Sequence, residues 1–368
     1  MKNYLHLFLF VVGNVYFCSR QKLIRKVYKK NVRLMRISLK KVVSPPLAIT
    51  VLLVISPLLF WLISMGFSNP TAVTNFTTPP GDALQQFFLE NAFLAGIVNI
   101  GLSLINVFLI AQLNNRFTII RNRTFLPVLI YLILVSMWSE IHIVVCAHLA
   151  ATMLLISLFV FFDMYRNANA SEQAFLGSLL IAVASVFAPV LLLLIPVCWL
   201  GFMRFYSFSL RTWLASLFGA LVPWVFYFAY MLYYKTDYYW LNDLGQSFFI
   251  GLPVFSRPLY EMVYIALMVV FMIIGLFGLY TNLHSDSIQT RAKLNFLVFI
   301  LVAAFVFSFF FVNQFIVFLP VIALAYSLLI AHAFTLRLTN FYGILFILFV
   351  IINVAFGVFN LIDTKFLL

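Results

Sequence analysis

Charge is what this chain has least of. Of its 368 residues only 9% are charged, and only 10 are acidic. A soluble domain carries close to a quarter charged residues, so a water-soluble globular protein is excluded. Polar stretches of domain size are missing too: the longest run is roughly 15 to 25 residues, far short of an ordinary domain. The apolar runs do not alternate with polar residues over about ten positions, which excludes a transmembrane β-barrel. Cysteine is scarce, and Cys18, Cys146 and Cys198 have no pairing or ligand spacing, so neither a disulfide framework nor a metal cluster is implied. There is no glycine-rich phosphate loop and no Ser-His-Asp set.

What remains is 65% hydrophobic, with 44 phenylalanines and 17 tyrosines. Apolar runs recur along nearly the whole length, and the aromatics suit a lipid-facing surface with interfacial belts. The expected fold is all-α, a polytopic transmembrane helical bundle. The net charge of +13 resembles a nucleic-acid signal, but its distribution does not. Eight basic residues (Lys2, Arg20, Lys22, Arg25, Lys26, Lys29, Lys30, Arg33) precede Met35, and the others are spread over loops, as positive-inside topology requires. No nucleic-acid partner is expected; membrane lipids are.

Residues 1–34 read as a basic N-terminal extension or a mis-assigned start. Their apolar part precedes the basic tract, the reverse of a signal peptide. The rival reading is a basic segment on an anionic membrane surface. Residues 35–368 then form one membrane domain with an outer loop at 68–91.

Expected spans are Leu47–Phe67, Phe93–Leu113, Phe125–Trp138, Ile143–Phe162, Trp213–Tyr234, Tyr260–Tyr280, Phe296–Phe311, Phe315–Ala331 and Phe341–Asn360. Between the fourth and fifth lies Ala174–Met203, thirty residues without a formal charge. As one helix it would run roughly 45 Å; folded at Ala188-Pro189 it gives two arms of roughly 20 Å. All seven basic residues from Arg36 to Arg166 fall on one side. If the stretch returns to its own side, Arg204, Arg211, Arg291, Lys293 and Arg337 join them, leaving only Lys235, Arg257 and Lys365 opposite. A single crossing reverses that balance. The hairpin is therefore favoured, giving about eleven spans, or nine if Ala174–Met203 is re-entrant. The N-terminus is then cytoplasmic and the C-terminus periplasmic.

The blocks NNRFTIIRNRTFLPVLIYLIL, HLAATMLLISLFVFFDMYR and AFLGSLLIAVASVFAPVLLLLIPVCWL resemble a family of polytopic inner-membrane proteins of Bacteroidota. That family has no established reaction, so the resemblance implies a bacterial inner (cytoplasmic) membrane location and a multi-pass fold. The layout is also similar to the GT-C glycosyltransferases that use lipid-linked sugars. They place an acidic residue in the first outer loop, and Asp82 holds the matching position here. The paired acids of better-known members are absent.

On that resemblance, the expected function is an envelope glycosyltransferase-like enzyme using a polyprenyl-phosphate-linked sugar at the outer face. Asp82 would be the catalytic carboxylate that accepts the acceptor's proton. Arg257 would neutralise the departing phosphate, with Glu261, Tyr238, Tyr239 and Trp240 as further substrate-binding residues. Each has a plainer reading: Asp82 as the N-cap of a surface helix, the aromatics as an interfacial belt. The alternatives are a non-catalytic assembly or scaffold protein and a transporter of lipid or small molecules. His142, Cys146 and His148, beside Glu140, have ligand chemistry, but one straight helix would offer a metal only two of them, so no metal is assigned. His148 is expected to be buried and to face protein.

Overall fold

The computed structural model describes residues 47–65, 78–121, 124–167, 169–234, 244–245, 248, 257–311, 314–336 and 340–366. The basic extension 1–34 lies outside them. Among the described residues there are twelve α-helices and no strand. They are α1 (Leu47–Met65), α2 (Pro79–Glu90), α3 (Ala92–Phe117), α4 (Leu126–Ser136), α5 (Val145–Phe162), α6 (Ser171–Phe187), α7 (Leu194–Arg204), α8 (Leu210–Tyr234), α9 (Leu259–Asn282), α10 (Ile288–Phe310), α11 (Phe315–Leu336) and α12 (Asn340–Phe366). Seven of them (α3, α5 and α8 to α12) are long and apolar enough to cross a membrane. The chain is built as a multi-pass membrane protein.

One helix is the axis. The most apolar stretch of α11 is 94% buried, against 33% for α9 and 28% for α8. A helix apolar on every side belongs in a core, and α4, α5, α9 and α10 pack around it. The outer helices turn side chains such as Phe108, Phe226 and Phe277 outward, an apolar surface that suits lipid.

The Ala174–Met203 stretch is a hairpin. Proline lacks the N–H that would continue a helix, so α6 stops before Pro189, and Ala188 is extended at φ −139° and ψ 91°. A short 3-10 turn, Pro189–Leu193, reverses the chain into α7. Two contacts fix the ends. At the turn, the Thr78 hydroxyl, just before α2, donates to the Phe187 carbonyl at 3.3 Å. At the open end, the Arg166 N–H donates to the Phe205 carbonyl at 2.9 Å, so the chain leaves α7 where it entered α6. Pro196 falls in the first turn of α7, where no N–H is needed, and ends nothing.

Helix α8 then runs parallel to α6 and very close to it. A Cβ at Gly219 would overlap the Phe175 carbonyl oxygen, so only glycine allows this approach. Indole N–H groups pin the hairpin to α8: Trp224 donates to Ser185 at 2.9 Å and Trp199 to Ser216 at 2.8 Å.

Three boundaries depart from the sequence expectations. Asp82 is not an N-cap. The helix starts four residues earlier in backbone terms, with Thr78 as N-cap and Pro79 and Pro80 in its first positions, where proline's fixed φ is already helical. Asp82 lies in the first turn, a position that still favours an anion. Second, most of the 68–91 loop that is described is helix, and only Asn91 separates α2 from α3. Third, α10 begins at Ile288 rather than Phe296, because the Ser287 hydroxyl accepts from the Thr290 N–H at 3.1 Å. Arg291 and Lys293 are thus helical, and Lys293 is buried with its Nζ 4.4 Å from the Phe117 ring centroid.

Helix α4 has 11 residues, roughly 16 Å of rise, too short to cross a hydrocarbon core unaided. All but Leu134 are buried, so the protein rather than lipid surrounds its ends.

Candidate functional site

Arg257 and Glu261, assigned to one site from the sequence, do come together. Glu261 opens α9 and Arg257 lies one turn before it, so their side chains meet across i, i+4. Arg257 Nη1 donates to Glu261 Oε2 at 2.8 Å and to Glu140 Oε2 at 3.2 Å. Glu140, on the 3-10 turn Ser139–His142, also accepts the Trp138 indole N–H at 3.4 Å. The guanidinium carbon lies 4.4 Å from the Phe315 ring centroid. Burial alone would lower the pKa of Arg257, but the two carboxylates outweigh it and raise it. One cation held by two anions leaves this cluster with a formal charge of −1.

Below the cluster is an apolar crevice. Its cavity volume is about 60 Å³. Its floor is one face of α11: Phe315, Leu319, Ile322, Ala323 and Tyr326, at helical spacing. Phe315 to Tyr326 spans roughly 16 Å along the axis. Tyr264, Ile265 and Met268 of α9 form one wall, Phe305 and Ser308 of α10 the other, and Trp138 closes the top. Both wall helices pack on α11 rather than on each other. They meet at the opposite end, where the Tyr280 hydroxyl donates to Asn295 Oδ1 at 3.3 Å. Tyr264 is held in place by Asn353 Oδ1, which accepts its hydroxyl at 2.9 Å, and by stacking on Phe356 at 3.8 Å.

Asp82 belongs to a different neighbourhood. Helix α2 packs across α3, α5 and α6, and the Asp82 charge acts on Cys146 and Tyr227. Arg257 contacts Glu140, Glu261 on α9 and Phe315 on α11. Both groups occupy the α2 end of the bundle without a described contact between them. Tyr238, Tyr239 and Trp240 lie outside the described residues.

The His142, Cys146 and His148 reading rested on one straight helix, which is not what forms. His142 ends a 3-10 turn and α5 begins only at Val145. The break brings His142 and His148 against the same indole, that of Trp61, at 4.3 and 5.4 Å. His148 is fully buried, as expected. Burial, then the neighbouring His148, pushes His142 down to about 3, so its imidazole is neutral. A neutral ring has one N–H, which goes from Nε2 to the Ser136 carbonyl at 3.1 Å, while Nδ1 accepts the Ser64 hydroxyl at 2.7 Å. Both nitrogens are engaged. Among the described residues no group of three or more His, Cys, Asp or Glu side chains could hold a metal ion.

At the opposite end, Arg116 pairs with Asp163 at 2.8 Å, and Arg121 lines a hollow with Asn114, Asn115 and Thr118 among mostly apolar neighbours. Arg123 lies outside the described residues.

No protein-family model, curated protein or solved structure matches this chain.

The crevice has no distinctive sequence signal. Its floor has helical periodicity, but every face of α11 is apolar, so no face stands out. Glu140 was legible as an outer acid, yet its pairing with Arg257 spans 117 residues and has no local mark.

Proposed function

We propose that this is a bacterial inner-membrane protein that takes a membrane lipid into the crevice between α9 and α10. The observation that carries this reading is the shape and polarity of that crevice. It is an apolar slot between two helices that pack on a buried third, with Trp138 at one end and, among the described residues, Glu140, Arg257 and Glu261 beside that end. Such a slot suits an aliphatic chain below and a polar headgroup above. On this reading the protein handles lipid.

Eleven passages, α1 and α3 to α12, complete the reading, with the N-terminus cytoplasmic and the C-terminus periplasmic. Its support is the gathering of Arg116, Arg121, Arg166, Arg204, Arg211, Arg291 and Lys293 at the end away from α2. The α2 end and the crevice mouth then face the periplasm.

The glycosyl-transfer reading draws less support from the geometry. It asks Arg257 to neutralise a lipid phosphate, and that guanidinium is already held between Glu140 and Glu261. It also asks Asp82 to serve the same substrate, from another neighbourhood.

The test is native mass spectrometry of the purified protein in a neutral maltoside detergent, comparing wild type with Ala323→Trp. The indole fills the slot floor. Wild type is expected to retain at least one lipid per chain and the variant to lose it at unchanged monodispersity. Equal lipid retention by both proteins would contradict the reading.

A further inference from the structure

We infer that the crevice selects an amphiphile with a cationic amine headgroup, and discriminates against phosphate. This rests on the reading of the crevice as a lipid site and names the chemistry that site takes.

Charge beside the crevice sets the preference. Among the described residues, three ionisable side chains stand beside Trp138 and Phe315 at one end of the crevice, and two of them are carboxylates. Glu261 is nearly enclosed, its side chain only 6% exposed, and Arg257 satisfies it. Glu140 is more open at 24%, and its bonds to Arg257 and Trp138 both fall on Oε2. Oε1 of Glu140 accepts no hydrogen bond from any described residue, which leaves a carboxylate oxygen for a ligand's N–H. An ammonium placed there takes the formal charge of the cluster from −1 to zero. A phosphate takes it further from zero, and in surroundings as apolar as Trp138, Phe315 and Tyr264 that difference is weakly screened.

Arg257 is the group one would first assign to a phosphate, but here it serves another purpose. It holds Glu261 in its enclosed position and ties the start of α9 to the 3-10 turn at Glu140. Trp138 lies 5.7 Å from both Tyr264 and Phe315, centroid to centroid, so the aromatic rings at this end brace one another and Arg257.

The slot below fixes the rest of the ligand. Its floor of roughly 16 Å admits one extended aliphatic chain end-on. The occupant is then one chain of an amine-bearing membrane lipid.

The experiment compares probes of identical chain and different headgroup. Dodecylamine, dodecyl phosphate and dodecyl glucoside are titrated against the delipidated wild-type protein in neutral maltoside detergent, with binding read by native mass spectrometry. Dodecylamine is expected to bind at least tenfold tighter than dodecyl phosphate, with the glucoside between them. In Glu140→Gln the amine preference is expected to shrink at least tenfold, and in Ala323→Trp all three probes are expected to lose binding. Phosphate binding as tight as amine binding in wild type overturns the headgroup inference. If Ala323→Trp still abolishes binding of both in that case, the lipid reading of the crevice survives alone. Probe binding that Ala323→Trp leaves intact overturns both. The wild-type comparison decides the headgroup even if a variant fails to fold.

Discussion

Trp61 lies flat on His142, their rings 19° from parallel and 4.3 Å apart between centroids. The contact ties α1 to the 3-10 turn between α4 and α5, and burial keeps the imidazole neutral. The folded-state pKa of His142, about 3, is below its unfolded value of 6.5. Above pH 6.5 both states are neutral and the full stability is present. As pH falls from 6.5 toward 3 the unfolded chain takes up a proton that the folded one refuses. Stability is then lost by up to about 1.4 kcal/mol per pH unit from this group. Thermal unfolding in detergent at pH 7.5 and pH 5 should show wild type losing more stability than His142→Gln. Equal losses would mean that His142 is not buried neutral.

Gly219 and Gly101 should respond oppositely to the same change. Gly219→Ala pushes a methyl group into the Phe175 carbonyl and should destabilise by about 1–3 kcal/mol. Gly101 has nothing within 4 Å of where a Cβ would stand. Gly101→Ala should therefore be neutral or stabilise by up to about 1 kcal/mol, the helix-propensity difference. Melting temperatures of the two variants check this, and a stable Gly219→Ala would place α8 further from α6 than described.

The two carboxylates around Arg257 are not equivalent. Glu261→Gln removes the enclosed partner and should cost about 3 kcal/mol, as breaking a buried pair does. Glu140→Gln removes the more open one and should cost less than about 1 kcal/mol. Chemical unfolding of the two variants gives the order directly; a reversed order would assign the structural role to Glu140.

Sidedness can be read with single cysteines in a cysteine-free background. Phe87 and Tyr206 are exposed at opposite ends of the bundle. Phe87→Cys should react with an impermeant maleimide in spheroplasts, and Tyr206→Cys only after permeabilisation. The reverse pattern would invert the orientation. Labelling of both from one side would break the path through α6 and α7.

Much of the path was legible because length, proline and charge report on it independently. Ala188-Pro189 marked the turn of the hairpin, and the positions of Arg166, Arg204 and Arg211 marked its return. Boundaries were less legible where a cap outweighs hydropathy. Ser287 starts α10 among polar residues, and Pro79 and Pro80 displace Asp82 from the cap. The site was the least legible part. Arg257 and Glu261 are i, i+4 neighbours, a spacing visible in the sequence, but Glu140 meets them only through tertiary packing. The crevice floor carries the same apolar residues as the rest of α11, so its emptiness is a property of how α9 and α10 diverge, not of composition.

Photochemical capture from within the slot shows whether a lipid lies above Ala323. A photoreactive phenylalanine analogue replaces Ile265, on the wall, in one protein and Ile273, on the outer face of α9, in another. After irradiation in native membranes, the captured lipids are released and compared. Position 265 should capture a narrow set enriched in amine-headed lipid, while position 273 should capture the bulk membrane mixture. The same bulk mixture at both positions, or no capture at 265, would contradict the lipid reading of the crevice.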